Sequence, residues 1–415
     1  MAESFAFDPR DLVRKPYIEC PKCKQTSFGI VIVGERDFHR RCRDCGHRSR
    51  YTLPPVRKAV VYLDQFVVSN LMLVRSNSEK KVDDFYKTLY AKLLKLLRLQ
   101  AIVCPFSDGH RDESLVYTSS AEQLRDSYEV FAHSISFKMF DDIRYLQILK
   151  LVERHLSDEP SAVRPIEPTD VMEGDPNVWF DRIRVSVKPL VVDGQLDALR
   201  LWREKTHAGI GDVFRNVWKT QPGRSWQYWQ EKEANGWRDN FLAIYEKERQ
   251  KFNDIRTGVR QPEAFDDLSP APVVSLFTEI FHRFVKKTGS QGDAAKAMQQ
   301  YFLSDAIYEL PFLQIETALY ATTAKKAISQ VKLPTQGFSV DVNVMGCLLP
   351  YCDAMFMDRE IAGLWKDIQS SAARRLPFET KVFSKASKDE FISYLDELDH
   401  AVPDEQRRFS DEVLG

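Results

Sequence analysis

Two short apolar runs, each followed at once by an aspartate and a helix-forming stretch, constrain the fold of this chain most. The run 60–63 precedes Asp64, and the run 354–357 precedes Asp358. Runs of this length are typical of buried parallel strands. Two such strands bring their acids together only as neighbours in one parallel sheet, and ligands of open α/β sheets bind at these strand ends. The pattern predicts an α/β domain with a ligand site at that edge.

Two further aspartates flank the second run. Asp341 precedes apolar residues at helical spacing, so we expect it at or just inside a helix start, and Pro350 ends that helix. Asp353 precedes the run, which places it away from the other acids as a possible outer-shell residue. Aspartate is also a common N-cap and loop residue, so each acid taken singly is equally well explained as a cap.

A strand–helix–strand unit follows the first run. The apolar pattern over 80–99 predicts a long amphipathic helix, and 101–104 a second short strand. In the next helical turn His110 and Glu113 would share a face. Glu113 also fits a first-turn acid favoured by the helix dipole, and His110 fits a polar surface residue.

Two Cys-x-x-Cys pairs near the N-terminus have the spacing of a Cys₄ zinc site: Cys20, Cys23, Cys42 and Cys45. Tetrahedral Zn²⁺ takes four ligands, which leaves His39 and His47 as spare side chains. The residues between the pairs predict a hairpin, and RSRYTL a third strand. The segment therefore looks like a zinc ribbon.

The ribbon carries a local positive charge. Residues 14–58 hold twelve Lys or Arg against four Asp or Glu, whereas the whole chain of 415 residues has a net charge of −1. The segment is either a solvated structural knob or a module that faces nucleic acid, and zinc ribbons also serve as protein contacts. The chain has no apolar run of eighteen residues, and its first residues are too polar for a signal peptide. We expect a cytoplasmic protein without a membrane partner.

The motifs LDQFVVSNL, HRDES and YCDAMFMDR, together with Asp341, resemble the acidic constellation of PIN-domain nucleases. The resemblance covers about 58–118 and 336–398. It implies a three-layer α/β/α sandwich with a parallel sheet, acids around one or two divalent metals, and cleavage of RNA or other single-stranded nucleic acid to a 5′-phosphate and a 3′-hydroxyl. The first motif reads Asp-Gln-Phe where many relatives have Asp-x-Asn. More than two hundred residues separate Glu113 from Asp341, which implies a large insertion.

The resulting division of the chain has five parts. These are a zinc ribbon (1–57), the first half of a PIN-like domain (58–118), a mostly helical insertion (119–335), the second half (336–400) and a polar tail (401–415). Five tryptophans of the insertion alternate with basic residues. They either stack bases of a single strand or, as is more usual, pack a core.

Four carboxylates that converge on one site require a cation, because each negative charge raises the pKa of the neighbouring carboxyl groups. Mg²⁺ or Mn²⁺ prefers oxygen ligands. We expect Asp64 to be the central ligand, with Asp341 and Asp358 beside it and Glu113 completing the set. The sequence therefore predicts a metal-dependent nuclease. We expect RNA rather than DNA as its substrate, and we expect the zinc ribbon to direct the enzyme to that substrate. The alternatives are a non-catalytic zinc-ribbon adaptor on a PIN-like scaffold, and a toxin- or defence-type nuclease regulated by its insertion. A protein partner would bind through the ribbon or the insertion.

Overall fold

The structure is a computed structural model that describes residues 8, 10–76, 82–111, 121–180, 195–263, 265–329 and 332–414. The N-terminal part is an antiparallel sheet of four strands in sequential order: β1 (Arg14–Glu19), β2 (Thr26–Val33), β3 (Asp37–Cys42) and β4 (Arg48–Thr52). The predicted hairpin and third strand correspond to the last three. The first strand, which the sequence patterns did not predict, pairs with β2 in an irregular register.

The other strands of the described residues are short: β5 (Ala59–Leu63), β6 (Ile102–Val103), β7 (Ser136–Phe137), β8 (Met172–Glu173), β9 (Ala354–Phe356) and β10 (Lys381–Phe383). The strands β7 and β8 form an antiparallel pair. The remaining four form one sheet in the order β10-β9-β5-β6, and every neighbouring pair in it is parallel. The predicted parallel sheet is confirmed.

Helices fill most of the rest: α1 (Gln65–Arg75), α2 (Asp84–Arg98), α3 (Ala121–Ala132), α4 (Phe140–Leu156), α5 (Gln195–Val213), α6 (Trp226–Arg256), α7 (Pro272–Thr288), α8 (Gln291–Leu303), α9 (Pro311–Ala327), α10 (Phe338–Leu348), α11 (Arg359–Gln369), α12 (Lys388–Ala401) and α13 (Asp404–Leu414). A π-helical turn, Phe214–Trp218, continues α5. None of the helices in the described ranges is long and apolar enough to cross a membrane.

The parallel sheet lies between two apolar clusters, because successive side chains of a strand point to opposite faces. Val61 and Leu63 of β5 pack in one cluster with residues of α1, α2 and α12. Val60 and Tyr62 pack in the other with residues of α9, α10 and α11. The architecture is therefore α/β with helices on both faces of the sheet.

The long segment between β6 and β9 contributes to more than one core. Tyr128 and Phe131 of α3 belong to the cluster that contains Val61, so this helix extends the layer beside the sheet. The helices α4, α6, α7 and α8 form a separate bundle with the start of α9.

The tryptophans of this segment are mainly core residues. Trp218, Trp226 and Trp229 are buried, and the indole N–H of Trp226 donates to Thr322 Oγ1 at 2.9 Å. Trp237 stacks on Phe241. Base stacking is thus excluded for these three buried rings, while the side chain of Trp202 lies outside the described residues.

The C-terminal residues, expected to be a polar tail, instead form the packed helix α13. Gln406 Nε2 donates to the carbonyl of Leu99 at 2.7 Å, and Ser410 Oγ donates to the carbonyl of Arg98 at 2.7 Å, which satisfies the C-terminal end of α2. Phe409 of the same helix packs against Phe38 of the ribbon. Several of these packing contacts use polar side chains, so the polar composition of the segment did not indicate that it forms a packed helix.

Candidate functional site

The four cysteines of the ribbon lie together. Their sulfur atoms are all within 4.8 Å of one another, with Cys20 Sγ 3.6 Å from Cys45 Sγ and Cys23 Sγ 3.5 Å from Cys42 Sγ. Neither spare histidine belongs to this group. Four thiols at one point are compatible with a structural zinc site.

The two cysteine loops have the same hydrogen-bond pattern. The carbonyl of Cys20 accepts from Lys24 N–H at 2.9 Å, and the carbonyl of Cys42 accepts from Gly46 N–H at 3.2 Å. The cysteine N–H groups donate to the next residues along, Gln25 and His47, at 2.9 and 2.8 Å. This repeated loop turns each Cys-x-x-Cys pair inward, so local backbone geometry forms the site from both sides.

The environment of Cys42 favours the thiolate that a metal requires. Burial opposes ionisation, but hydrogen bonds from Cys45 N–H, at 3.5 Å, and from the Ser27 hydroxyl, at 3.2 Å, lower the pKa of this thiol to about 6. The donor set therefore fits Zn²⁺ in number and in chemistry.

The second candidate site lies where β5 and β9 end. Leu63 pairs with Phe356, and the N–H of Asp64 donates to the carbonyl of Phe356 at 3.0 Å. Asp358 follows two residues after Phe356 and is the residue immediately before α11. Neighbouring strands are about 4.8 Å apart, so both aspartates stand at one edge of the sheet.

The two aspartates differ in their local roles. Asp358 is a helix cap, since its Oδ1 accepts from Glu360 N–H at 2.7 Å. Asp64 precedes α1 and is only 9% exposed, yet its side chain makes no capping hydrogen bond. The cap explanation therefore accounts for the carboxylate of Asp358 but not for that of Asp64.

Asp341 lies just inside the start of a helix, as expected. The helix α10 begins at Phe338 with Asp341 in its first turn, and Asp341 N–H donates to the carbonyl of Gly337 at 3.0 Å. The chain just before the helix reaches the same edge, because Thr335 lines a cleft together with Asp358.

Asp353 stands at the opposite end of β9. Its Oδ2 accepts from Val60 N–H at 2.7 Å, and its own N–H donates to the carbonyl of Val60 at 2.9 Å. It joins the two strands where they begin, so it has a structural role away from the other acids. Glu113 lies outside the described residues.

His110, interpreted as a surface residue, is instead buried. Its Nε2 is 2.7 Å from the carbonyl oxygen of Leu63, and its ring stacks on Tyr62 at 4.8 Å. Burial lowers the pKa of His110 to about 4, so the imidazole is neutral at pH 7. The side chain fixes the end of β5 immediately before Asp64.

Two clefts flank Asp358. One, of about 550 Å³, is lined by residues from α1, the start of α2 and the turn after β10, including Lys385. The other, of about 410 Å³, includes Lys326 and Lys332, and Arg359 lines both. These cations were not singled out from the sequence, although Arg359 and Lys385 each follow a strand end as the aspartates do.

The acids at this edge do not form a compact ligand set. Among the described residues, the cysteine cluster is the one group of three or more Cys, His, Asp or Glu ligand atoms within 4.8 Å of one another. Asp64 and Asp358 therefore stand at one edge of the sheet, but with Asp341 they do not form a closed cage of oxygens.

Comparison of the chain with protein-family models, curated proteins and solved structures finds no match. The function is therefore inferred from the residues of this chain and their geometry.

Proposed function

We propose that the protein is a metal-dependent nuclease that hydrolyses phosphodiester bonds of RNA or other single-stranded nucleic acid. The observation that carries the proposal is the pairing of β5 with β9, with Asp64 and Asp358 following directly at the carboxyl ends of these two strands.

The strand order supports this location for a site. From β5 the chain first adds β6 on one side and later adds β9 on the other side. The direction of winding therefore reverses between β5 and β9, and ligands of open parallel sheets bind in the crevice outside the strand ends at such a reversal.

The candidate ligands are oxygen donors, as Mg²⁺ and Mn²⁺ require. Asp64, Asp341 and Asp358 would hold the ion, and Glu113 is assigned to the set by sequence alone. Such an ion, when bound, lowers the pKa of a coordinated water and stabilises the leaving oxygen. Asp358 has Oδ2 for this purpose, because its capping hydrogen bond uses Oδ1.

Basic side chains beside the acids would bind the phosphates of the strand. Arg359 and Lys332 are exposed and make no hydrogen bond or ion pair within the part of the chain that the structure describes. Positive charges around a metal-binding edge attract a polyanion and neutralise the phosphate that is cut.

Cleavage of labelled RNA and single-stranded DNA with Mg²⁺ or Mn²⁺ tests the proposal. Asp64→Asn should lower the cleavage rate at least about 100-fold, since a ligand is lost while side-chain volume is kept. Asp239→Asn removes an exposed acid of α6 that pairs with Arg238, and should leave the rate unchanged. Equal cleavage by wild type and Asp64→Asn would refute the assignment.

A non-catalytic adaptor is the second candidate. It is favoured by the hydrogen bond from Glu360 N–H to Asp358, because this contact gives the carboxylate a role without any cation. Absence of divalent-dependent cleavage on RNA and on both forms of DNA would select the adaptor.

A further inference from the structure

One face of the ribbon sheet is covered and the other is open. Side chains alternate along β3, so Phe38 and Arg40 point to one face, His39 and Arg41 to the other. The first face is closed by Trp179, Phe409 and Val413. We call the second the open face; it carries Tyr17, Ile32, His39, Arg41, Arg48 and Arg50.

The open face holds two arginines directly opposite each other. Arg41 of β3 pairs with Arg48 of β4, and neither guanidinium makes a hydrogen bond or ion pair within the described ranges. Like charges in a cross-strand pair destabilise a sheet. The Asp8 carboxylate offsets part of the charge of Arg41, and a ligand with negative charges between or along the two guanidinium groups would offset the charge of both.

A tyrosine ring packs on the same face. A Cβ at Gly29 would be 2.3 Å from the carbonyl oxygen of Arg14 and 2.6 Å from the Tyr17 ring, so glycine is required where β1 and this ring lie against β2. The Tyr17 hydroxyl donates to the carbonyl of Val13 at 3.0 Å, which holds the ring in place, and the Arg43 guanidinium lies 6.0 Å from the ring centre. The open face thus combines a fixed aromatic ring with the half-buried Arg41 and the exposed Arg48.

The charge of the ribbon matches a polyanion. Residues 14–58 carry a surplus of eight positive charges in a chain whose net charge is −1. Asp37 of the open face is already paired with Arg50 at 2.9 Å and with His39 at 3.4 Å.

We infer that the open face binds single-stranded nucleic acid, with Arg41 and Arg48 on the phosphates and an unpaired base stacked at Tyr17. Phosphate contacts supply affinity without regard to sequence, and stacking on an aromatic side chain requires a base that is not inside a duplex. The inference rests on the proposed function only in one respect, which is that the strand bound by the ribbon is then cleaved at the edge of the parallel sheet.

The test measures binding by fluorescence anisotropy, with the full chain, zinc-loaded and carrying Asp64→Asn so that the probe stays intact. The probes are a labelled 20-nucleotide oligouridylate and a 20-base-pair duplex, at several salt concentrations.

Arg41→Gln together with Arg48→Gln should weaken binding of the single strand at least about tenfold. The slope of the logarithm of the binding constant against the logarithm of the salt concentration should fall in magnitude by about 1.4, since each lost phosphate contact contributes about 0.7. Tyr17→Leu should weaken it about tenfold, whereas Tyr17→Phe, which keeps the ring, should bind nearly as well as the parent.

The control removes the same charge elsewhere. Lys247→Gln with Lys296→Gln neutralises two exposed lysines of α6 and α8 and should not change binding. The arginine variant should melt no lower than its parent, because a repulsive pair is removed, so loss of binding cannot be attributed to unfolding. Zinc content checks that the ribbon is intact.

Each result decides between stated outcomes. Unchanged affinity of the double arginine variant, or equal affinity for the duplex, overturns the inference. Weaker binding by that variant with no cleavage by wild type leaves the inference standing and refutes the nuclease. If the wild type cleaves the strand although the double arginine variant binds it as tightly as its parent, the nuclease is supported and binding by the open face is refuted.

Discussion

Lys24 and Gly46 occupy equivalent positions in the two cysteine loops, each four residues after the first cysteine of its pair and each in the left-handed backbone region. Their φ angles are 64° and 72°, and each N–H donates to the carbonyl of that cysteine. Glycine adopts this conformation without strain, while other residues pay about 1 kcal/mol or more.

The first prediction follows from this pair. Gly46→Ala should destabilise the ribbon by about 1–2 kcal/mol, through the backbone alone, because nothing lies within 4 Å of a Cβ at that position. Lys24→Gly should be neutral or stabilising by up to about 1 kcal/mol. The ion pair it loses, Lys24 to Glu19 at 3.5 Å, is exposed and contributes little. Competition between a chelator and the full chain for zinc measures the change in zinc affinity caused by each substitution. If both substitutions change the affinity equally and in the same direction, the left-handed backbone conformation does not explain the effect.

Metal removal should open the covered face of the ribbon. Without a metal the four thiols lose what holds them together, and a unit this small has little core of its own. Trp179, whose indole N–H donates to the carbonyl of Pro54 at 2.7 Å, should then become exposed. We expect a red shift of tryptophan emission on chelation, and no such shift in Trp179→Phe. An unshifted wild-type spectrum with zinc fully released would show that the ribbon is stable without metal.

A buried ion pair should fasten α10, the helix of Asp341, to the bundle. Arg144 of α4 donates to Glu316 of α9 at 2.7 Å and to Asn343 of α10 at 3.0 Å. Arg144→Met should cost about 3–5 kcal/mol in the free energy of unfolding, because it leaves a buried carboxylate without its partner. The double variant with Glu316→Gln should recover much of this loss, since no unpaired charge remains. Urea denaturation of the three proteins checks it, and a double variant as unstable as Arg144→Met would disprove the role of the charge.

His110 should make stability depend on pH in a defined interval. Its pKa is lowered from an ordinary 6.5 to about 4 by burial, so its contribution to stability is complete above pH 6.5 and is lost as pH falls through 4. By linkage the loss is about 3 kcal/mol across this interval. His110→Gln can still donate to the Leu63 carbonyl but does not titrate there, so the difference between the two proteins in denaturant unfolding should shrink as pH falls. A difference that is constant from pH 7 to pH 4 would mean that the imidazole is not desolvated.

Sequence patterns located the elements whose signal is local. The Cys-x-x-Cys spacing, the β-branched run before Asp64 and the apolar run before Asp358 are each contained in a few residues, so the cysteine cluster and the parallel sheet were predictable. The proline at 350 marked the end of α10 to within two residues, since α10 ends at Leu348.

Features that depend on distant contacts were not predictable. The burial of His110 depends on Tyr62 and Leu63, which are more than forty residues away, and its own neighbours are polar. The structural role of Asp353 appears only when β9 is placed beside Val60.

The position of α13 has a consequence for how the molecule is assembled. Arg40 is buried in the ribbon and reaches Glu412 at 2.8 Å, across 372 positions of the sequence. During synthesis the ribbon can gather its cysteines early, but the seat for this arginine is completed only after residues 404–414 have left the ribosome. Until then the Arg40 guanidinium can donate to the carbonyls of Pro16 and Phe28 within the ribbon but lacks the carboxylate of Glu412, so the covered face of the ribbon is complete only once α13 has docked.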